Sequence, residues 1–473
     1  MPKILTRVVE RLSSSLRPWD VFQNIYAEEP ACFFLDSVRY KRPDQNYSYL
    51  GISPYLEVFL DPGKSSHSKL RIQGEQNSSS RSENWLSDLR TLFKKQRPPK
   101  GKELPFFSGG AVGYWAYDLA AHVEKRTQKL KSDSGIPPLY FGFFRDVIVY
   151  DHAAGSYYLI THQGPRTPKA RESLAKMKSF FKKPKPLTAS FKMEHFKPDI
   201  TRSRFESMVK RAKRYIEAGD IYQANLSQRF SFECEGSKLK LYDALRTINP
   251  SPFASFLKIR DLEIISCSPE RLVSKRGQTC ETRPIAGTRR KPSHGGIAAV
   301  KKELLANEKE RAEHIMLVDL ERNDLGRVCE WSSVRVEEMM KVEAYSHVLH
   351  IVSKITGKLQ KGKDALDLLL AMFPGGTVTG CPKIRCMEII DELEPCARGL
   401  YTGSIGYVDF SGNMDMNIVI RTLVLKKDRG HLQVGAGIVY DSNPAREYEE
   451  TLHKGEALAE ALVQAASFTG SGK

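Results

Sequence analysis

Two periods alternate in the apolar positions of this chain. PACFFLDSVRY (30–40) and NYSYLGISPYLEVFL (46–60) are rich in β-branched and aromatic residues with turn formers at their ends, which predicts strands. LYFGFFRDVIVYDHAAGSYYLITH (139–162) predicts a strand hairpin turning near its AAG. WLSDLRTLFKK (85–95) and ARESLAKMKSFF (170–181) switch to helical spacing. In SRFESMVKRAKRYIEAGD (203–220), Phe205, Val209, Ala212 and Ile216 fall on one helical face, and Gly219 supplies the C-terminal stop. KKELLANEKERAEHIMLVDL (301–320) and EYEETLHKGEALAEALVQAA (447–466) read as helices. YTGSIGYVDF (401–410), NIVIRTLVL (417–425) and HLQVGAGIVY (431–440) read as strands. The polar, basic, Pro-containing KKPKPLTASFK (182–192) is the best crossover, separating a strand-rich region 1–190 from a mixed region 195–465. Pattern alone predicts an α+β or α/β protein.

The 473 residues allow two or three ordinary domains or one large fold. At 41% hydrophobic and 27% charged, the composition is that of a soluble globular protein. There is no apolar run of about 18 residues to span a membrane. The first twenty residues lack the apolar core and small-residue cleavage site of a secretory signal. The 8 cysteines form no close CxxC pair and no zinc spacing, so free thiols in a cytoplasmic protein are expected. A formal charge of +17 admits a nucleic-acid-binding or scaffold reading. The excess, however, sits largely in loops such as 94–102 and 178–192 that carry no nucleic-acid module, and a basic surface also steers small anions.

Glu310 and Glu313, and later Glu447 and Glu450, are spaced i, i+3 in helical segments, so each pair puts two carboxylates on one face. Such spacing usually decorates a solvated helix. Two such faces brought together would instead make an oxygen-lined site suited to Mg²⁺. The surrounding motifs decide the matter. DIYQANLSQRF (220–230), SCSPERLV (266–273), TRPIAGTRR (282–290), HIMLVDLERNDLGRV (314–328), FPGGTVTGCPKIRCMEIIDELEP (373–395), GSIGYVDFSGNMDMNIVIRT (403–422) and GAGIVYDS (435–442) occur in this order. The array closely resembles the chorismate-utilising enzymes: the synthase subunits of anthranilate and aminodeoxychorismate synthases, and the isochorismate and salicylate synthases. A weaker match runs through 33–51 and 106–120.

The resemblance implies one anthranilate synthase component I-like fold, with two facing, mainly antiparallel sheets, outer helices and a central cleft. It implies Mg²⁺ at Glu310, Glu313, Glu447 and Glu450, with Glu313 and Glu450 as the closest ligands. One of these carboxylates, Glu310 among them, is a candidate general acid if its pKa is raised. By the same resemblance Gly435, Ala436 and Gly437 donate backbone N–H groups to a substrate carboxylate, Arg421 offers a guanidinium, and Lys454 reaches the substrate or the metal. Tyr401 and Thr377 supply hydroxyls, His350 stands near the substrate ring, and Ala286, Gly287 and Thr288 line the pocket. GGTVTG (375–380) lacks the phosphate-binding pattern and is assigned to the wall. No glutaminase nucleophile motif occurs, so ammonia is expected from a separate glutamine amidotransferase subunit.

Product identity divides these residues. Asn225, in QANLSQRF, resembles the form of aminodeoxychorismate synthases, which implies 4-amino-4-deoxychorismate as product, on the way to 4-aminobenzoate and folate. Ala286 stands where the well-studied aminodeoxychorismate synthases carry lysine, in PIKGT; alanine, as in anthranilate synthase, implies by resemblance that C2 is open to ammonia, and argues for anthranilate and pyruvate, on the way to tryptophan. The isochorismate branch activates water with a lysine near the position of Gln223, and no lysine stands there. Asp36 and Ser37, with Tyr47, Ser48, Pro250 and Ser251, resemble the family's tryptophan pocket, with Asp36 one methylene shorter than the usual glutamate.

Overall fold

Among the described residues, two 12-stranded sheets, antiparallel at every pairing, organise the fold. The computed structural model describes residues 6–37, 46–61, 69–74, 78–80, 84–96, 104–124, 135–164, 167–187, 190–292, 296–344 and 348–467. Most of the basic segment 94–102 and of the polar segment 74–84 lies outside the described residues. In each sheet, strands from before residue 190 form one flank and strands from after it the other. The seam of the first sheet is Ala31–Asp36 against Phe253–Ile259. That of the second is Gly110–Trp115 against Ser404–Asp409.

The strand Leu139–Phe144 lies in the second sheet, while Val147–Asp151 and Ser156–Gln163 pair in the first. The expected hairpin around AAG is therefore the second half of 139–162 only. Arg145 and Asp146 carry the chain from one sheet to the other, which periodicity cannot show because both flanks are equally apolar. The segment 417–425 makes the same kind of crossing, ending Met414–Asn417 in the second sheet and starting Thr422–Lys426 in the first.

Helices cover the outside. Arg202–Glu217 starts at Thr201, whose hydroxyl accepts from the Arg204 N–H, and ends before Gly219 at φ +80°. Phe205, Val209 and Ala212 pack on Ala224, Leu226, Ala436 and Ile438 of the first sheet, so one face of Gln223–Gly236 and Arg429–Ile438 is sealed by helices. The other face is left for polar residues. The helical stretch 301–320 is two helices, Ile297–Ala306 and Glu308–Gly326. The break is at Asn307, whose side chain caps the Glu310 N–H at 3.0 Å.

Candidate active site

The inner face of Gln223–Gly236 carries Gln223, Asn225 and Ser227, because alternate residues of a strand share a face. Gly437 pairs with Asn225 and Gly435 with Ser227. A Cβ on Gly435 would lie 2.6 Å from Asn225 Oδ1, 2.7 Å from the Tyr401 hydroxyl and 2.8 Å from the Leu226 carbonyl. A Cβ on Gly437 would lie 2.5 Å from Gln223 Nε2. At Gly435 a side chain would press on backbone, whereas at Gly437 it would displace the Gln223 amide; the bare backbone at both faces a polar wall. The side chain of Ala436 turns the opposite way, into the helix-covered core, so of this residue only the backbone belongs to the site.

The two acidic pairs approach this wall from different helices. Gln223 Nε2 donates to Glu313 Oε1 at 2.9 Å. Glu310 Oε1 accepts from Arg289 at 2.7 Å. Its Oε2 is buried without a hydrogen-bond partner, against Gly287. Gly287 holds φ +59° at an irregularity between Ala286 and Thr288 in the strand Ile285–Arg290, which leaves room for that carboxylate. Glu447 and Glu450 open the helix Pro444–Ser467. Burial raises the Glu447 pKa, the nearby Glu450 charge raises it further, and Ser442, Lys454 and Lys309 oppose both. Lys309 belongs to the first acidic helix, so the two helix starts are neighbours. Lys454 Nζ lies 2.7 Å from Glu450 Oε1 and donates to the Gly435 carbonyl at 3.1 Å, tying the second pair to the glycine wall.

Four hard carboxylates with one buried unpartnered oxygen fit Mg²⁺ in donor type. Among the described residues, no three His, Cys, Asp or Glu side chains converge on one metal position. Arg289 and Lys454 hold Glu310 and Glu450 in two separate pairs.

His350, on Val348–Lys358, presents Nδ1 to the Gly287 carbonyl and the Thr288 hydroxyl, both at 3.0 Å. Donation of the Nδ1 proton to the carbonyl leaves Nε2 as the basic nitrogen. Burial pushes the imidazolium pKa down to about 4, so the ring is neutral at pH 7. Arg421 sits at φ +52° where the chain crosses between sheets, its carbonyl accepting from Cys267 N–H at 3.1 Å. Its charge acts on both His350 and Glu270.

Glu270 is a residue that the sequence reading missed. Its carboxyl is fully enclosed, and burial raises its pKa to about 7. The Thr377 hydroxyl, the Ile285 backbone, Arg421 and Lys454 pull the other way. Glu270 thus touches or senses residues from four separate motifs. The signal was available in SCSPERLV: a charged residue between a buried strand and Arg271, whose guanidinium is committed to Asp415 at 2.9 Å and Glu281 at 2.8 Å.

Beneath Tyr401, Arg398 forms a buried pair with Glu394 at 2.8 Å and donates to the Asn225 carbonyl at 2.6 Å. Ser227 also donates to Glu394. Burial raises the Tyr401 pKa, so the phenol remains a neutral donor.

Asp36, Ser37 and Tyr47 line a cavity between the two sheets with Phe253, Tyr407 and Asp415. The Asp36 carboxylate takes two bonds from Arg246, at 3.0 and 2.7 Å, and one from Ser48 at 3.3 Å. Ser48 thus supports Asp36 rather than lining the cavity, and Pro250 and Ser251 are buried just beyond its Pro252–Ser255 wall.

The comparisons agree with this architecture. Residues 36–460 match the family model for chorismate binding enzymes. The chain belongs to the chorismate-binding enzyme family. It is 45% identical over 384 residues to the aminodeoxychorismate synthase component 1 of Bacillus subtilis, covering 80% of this chain and 82% of that protein. It is 39% identical over 465 residues to the anthranilate synthase component 1 of Acetivibrio thermocellus, covering 93% and 92%. Anthranilate synthase component I from Streptococcus pneumoniae superposes with a TM-score of 0.77 at 35% identity, over 89% of this chain and 94% of that one. The menaquinone-specific isochorismate synthase of Escherichia coli shares the fold, with a TM-score of 0.69 at 15% identity over 98% and 96% of the two chains. The expected fold of two facing antiparallel sheets with helices outside is the one observed.

Proposed function

We propose that this chorismate-binding enzyme aminates chorismate to 4-amino-4-deoxychorismate, using ammonia supplied by a separate glutamine amidotransferase. The observation that carries amination is the pair of side-chain amides on the inner strand face. Water would need a base to attack the ring, and Gln223 is no base; its Nε2 is committed to Glu313 at 2.9 Å. Ammonia needs no such activation. Asn225 Oδ1, buried without a hydrogen-bond partner beside Gly435 and Tyr401, offers an acceptor for its N–H. Attack at the expense of the 4-hydroxyl is supported by the Asn225 motif and by the Bacillus subtilis relative.

Backbone N–H groups at Gly435–Gly437, with Arg421, would orient one substrate carboxylate. Mg²⁺, held when bound by Glu313 and Glu450 with Glu310 and Glu447 beside them, would neutralise the other. Glu270 gives its proton to the departing hydroxyl, which leaves as water. The proton shed by the new ammonium group restores the acid. Neutral His350 and the Thr377 hydroxyl position the ring and the leaving oxygen.

Anthranilate formation is the second reading, favoured by one observation: Ala286 is small and buried in the strand that pairs with that of His350, and an alanine there would leave room for ammonia at C2. Chromatography of products from chorismate and ammonium, with a lyase added to convert 4-amino-4-deoxychorismate to 4-aminobenzoate, separates the two. The expected product is 4-aminobenzoate; anthranilate as sole product overturns the assignment. Ala286→Lys should keep the amino-deoxy product and depress any anthranilate by about 100-fold or more, because the new side chain fills the space at C2. A neutral, desolvated lysine could also attack C2 itself, so any such covalent route should strengthen as pH rises.

A separate titration tests the metal. Activity should require Mg²⁺ in roughly the millimolar range, as for a site that keeps waters and borrows substrate ligands. Glu313→Gln or Glu450→Gln should remove turnover while leaving the melting temperature within a few degrees. Full wild-type activity in excess chelator would refute the metal reading.

A further inference from the structure

Two thiols outside the site lie side by side. Cys280, on the strand Thr279–Thr282, pairs with Gly357 of the neighbouring strand Val348–Lys358. A Cβ on Gly357 would come 2.7 Å from the Cys329 sulfur. Gly357 is not among the positive-φ glycines, so what its missing side chain provides is space for that sulfur. Cys329 follows the helix Glu308–Gly326, and its N–H donates to the Leu325 carbonyl at 2.9 Å. It also bridges to Leu359, whose N–H donates to the Gln278 carbonyl at 2.8 Å. Leu359 thus clamps the two cysteine-bearing segments together. Both cysteines are buried, yet only one layer down. Gly277, Gln278 and Thr279 are exposed beside one, and Trp331 and Ser332 beside the other.

The thiols hydrogen-bond each other and are not equivalent. Cys280 is the donor: its bond to Cys329 raises its pKa and burial raises it further, with Lys275 opposing. The same bond lowers the Cys329 pKa, against burial and the charge of Glu330. Cys329 is therefore the thiol that ionises, and Cys280 stands next to it with a proton to give. A nucleophilic thiolate beside a second thiol is the arrangement of a redox-responsive pair. We propose that Cys329 and Cys280 are an oxidisable pair that hydrogen peroxide converts into an internal disulfide, with Cys329 attacking and Cys280 resolving. The Cys329 sulfur takes one peroxide oxygen and becomes a sulfenic acid, and the other oxygen leaves as water with the thiol proton. The Cys280 sulfur then attacks the sulfenic sulfur, the S–S bond forms, and a second water departs with the Cys280 proton. Two thiols are oxidised and one peroxide is reduced. Peroxide is little larger than water and needs only a small opening of the turn at 330–333, whose Trp331 is 98% exposed and holds nothing down. The bond links the sheet to the chain just beyond the helix that presents Glu310 and Glu313, so oxidation fastens the far end of that helix. None of this depends on which amine product the enzyme makes.

The test treats the full wild-type chain with hydrogen peroxide and maps its tryptic peptides. The expected product joins the Cys280 and Cys329 peptides with two hydrogens lost, and dithiothreitol reverses it. The oxidised chain should melt a few degrees higher, because closing the loop between these residues restricts the unfolded chain. Cys280→Ser keeps a hydroxyl to donate to Cys329 but removes the resolving sulfur. In that variant Cys329 should reach the sulfinic or sulfonic acid and resist dithiothreitol. Cys329→Ser should leave Cys280 a thiol at the same peroxide dose. Cys381 and Cys396, both half-buried, are the internal reference. A map in which they are oxidised while Cys280 and Cys329 remain thiols would overturn the pair, and so would oxidation of Cys280 in Cys329→Ser. Thermal melting identifies a variant that unfolds, and the wild-type map then decides alone.

Discussion

Glu270→Gln should lower kcat for chorismate amination by about 10²–10⁴-fold, the range that a positioned general acid supplies. The amide has the shape of the acid and keeps an acceptor toward Thr377 and the Ile285 backbone, so chorismate binding should change little. The pH dependence gives the role away. Burial holds the Glu270 carboxyl protonated up to about pH 7, against an ordinary value of 4.5. A group that acts as an acid works below its folded-state pKa, so kcat in the wild type should fall as pH rises through about 7. That limb should vanish in the variant. Stability of the wild type should fall with rising pH as well. A raised carboxyl pKa means that folding favours the proton, a contribution present below pH 4.5 and lost as pH climbs through about 7. At pH 8 the enclosed charge therefore costs about 3 kcal/mol at about 1.4 kcal/mol per pKa unit, and Glu270→Gln should melt at higher temperature there. A variant with full activity, or one whose alkaline limb persists, would move the acid role to Glu447, whose pKa is also raised.

Local features proved legible where one physical signal dominates. The helix Trp85–Lys95 has the bounds its apolar spacing predicts, and Arg202–Glu217 stops where Gly219 allows. Each acidic pair does fall on a helix, because i, i+3 carboxylates, caps and apolar stripes all favour one there. Three things were not legible. The sheet crossings at 145–146 and 418–421 leave no trace in periodicity, since the strands on both sides are buried and equally apolar. The break at Asn307 was hidden inside a run with continuous helical propensity, and only the capping bond to the Glu310 N–H shows it. Glu270 looked like an ordinary charged residue beside an arginine. Its raised pKa arises from burial, which outweighs the opposing pull of Thr377, Ile285 and Arg421, residues distant in sequence and brought together by the fold. The same holds for Asp36: its place in a regulatory-looking motif was readable, but not that Arg246 claims its carboxylate.

Gly435→Ala should raise KM for chorismate by about 10²-fold and lower stability by about 1–3 kcal/mol. The added methyl would sit 2.8 Å from the Leu226 carbonyl, backbone within a ladder that cannot yield without moving the strand. It would also press on Asn225 Oδ1 and the Tyr401 hydroxyl, the two polar groups assigned to ammonia and substrate. Tyr401 has little room to retreat, because Arg398 is locked behind it by Glu394, the Val378 carbonyl and the Asn225 carbonyl. Displacement therefore passes to the strand, and with it to the Gly435 carbonyl that holds Lys454. Gly437→Ala provides the contrast. Its methyl meets Gln223 Nε2, the far end of a flexible side chain, so the main loss is the bond that positions Glu313. The first variant should fail in chorismate affinity at saturating Mg²⁺, and the second in its Mg²⁺ requirement at saturating chorismate. Steady-state kinetics over both concentrations resolves the two, and equal defects in the two variants would mean that the glycine wall acts only as a structural turn.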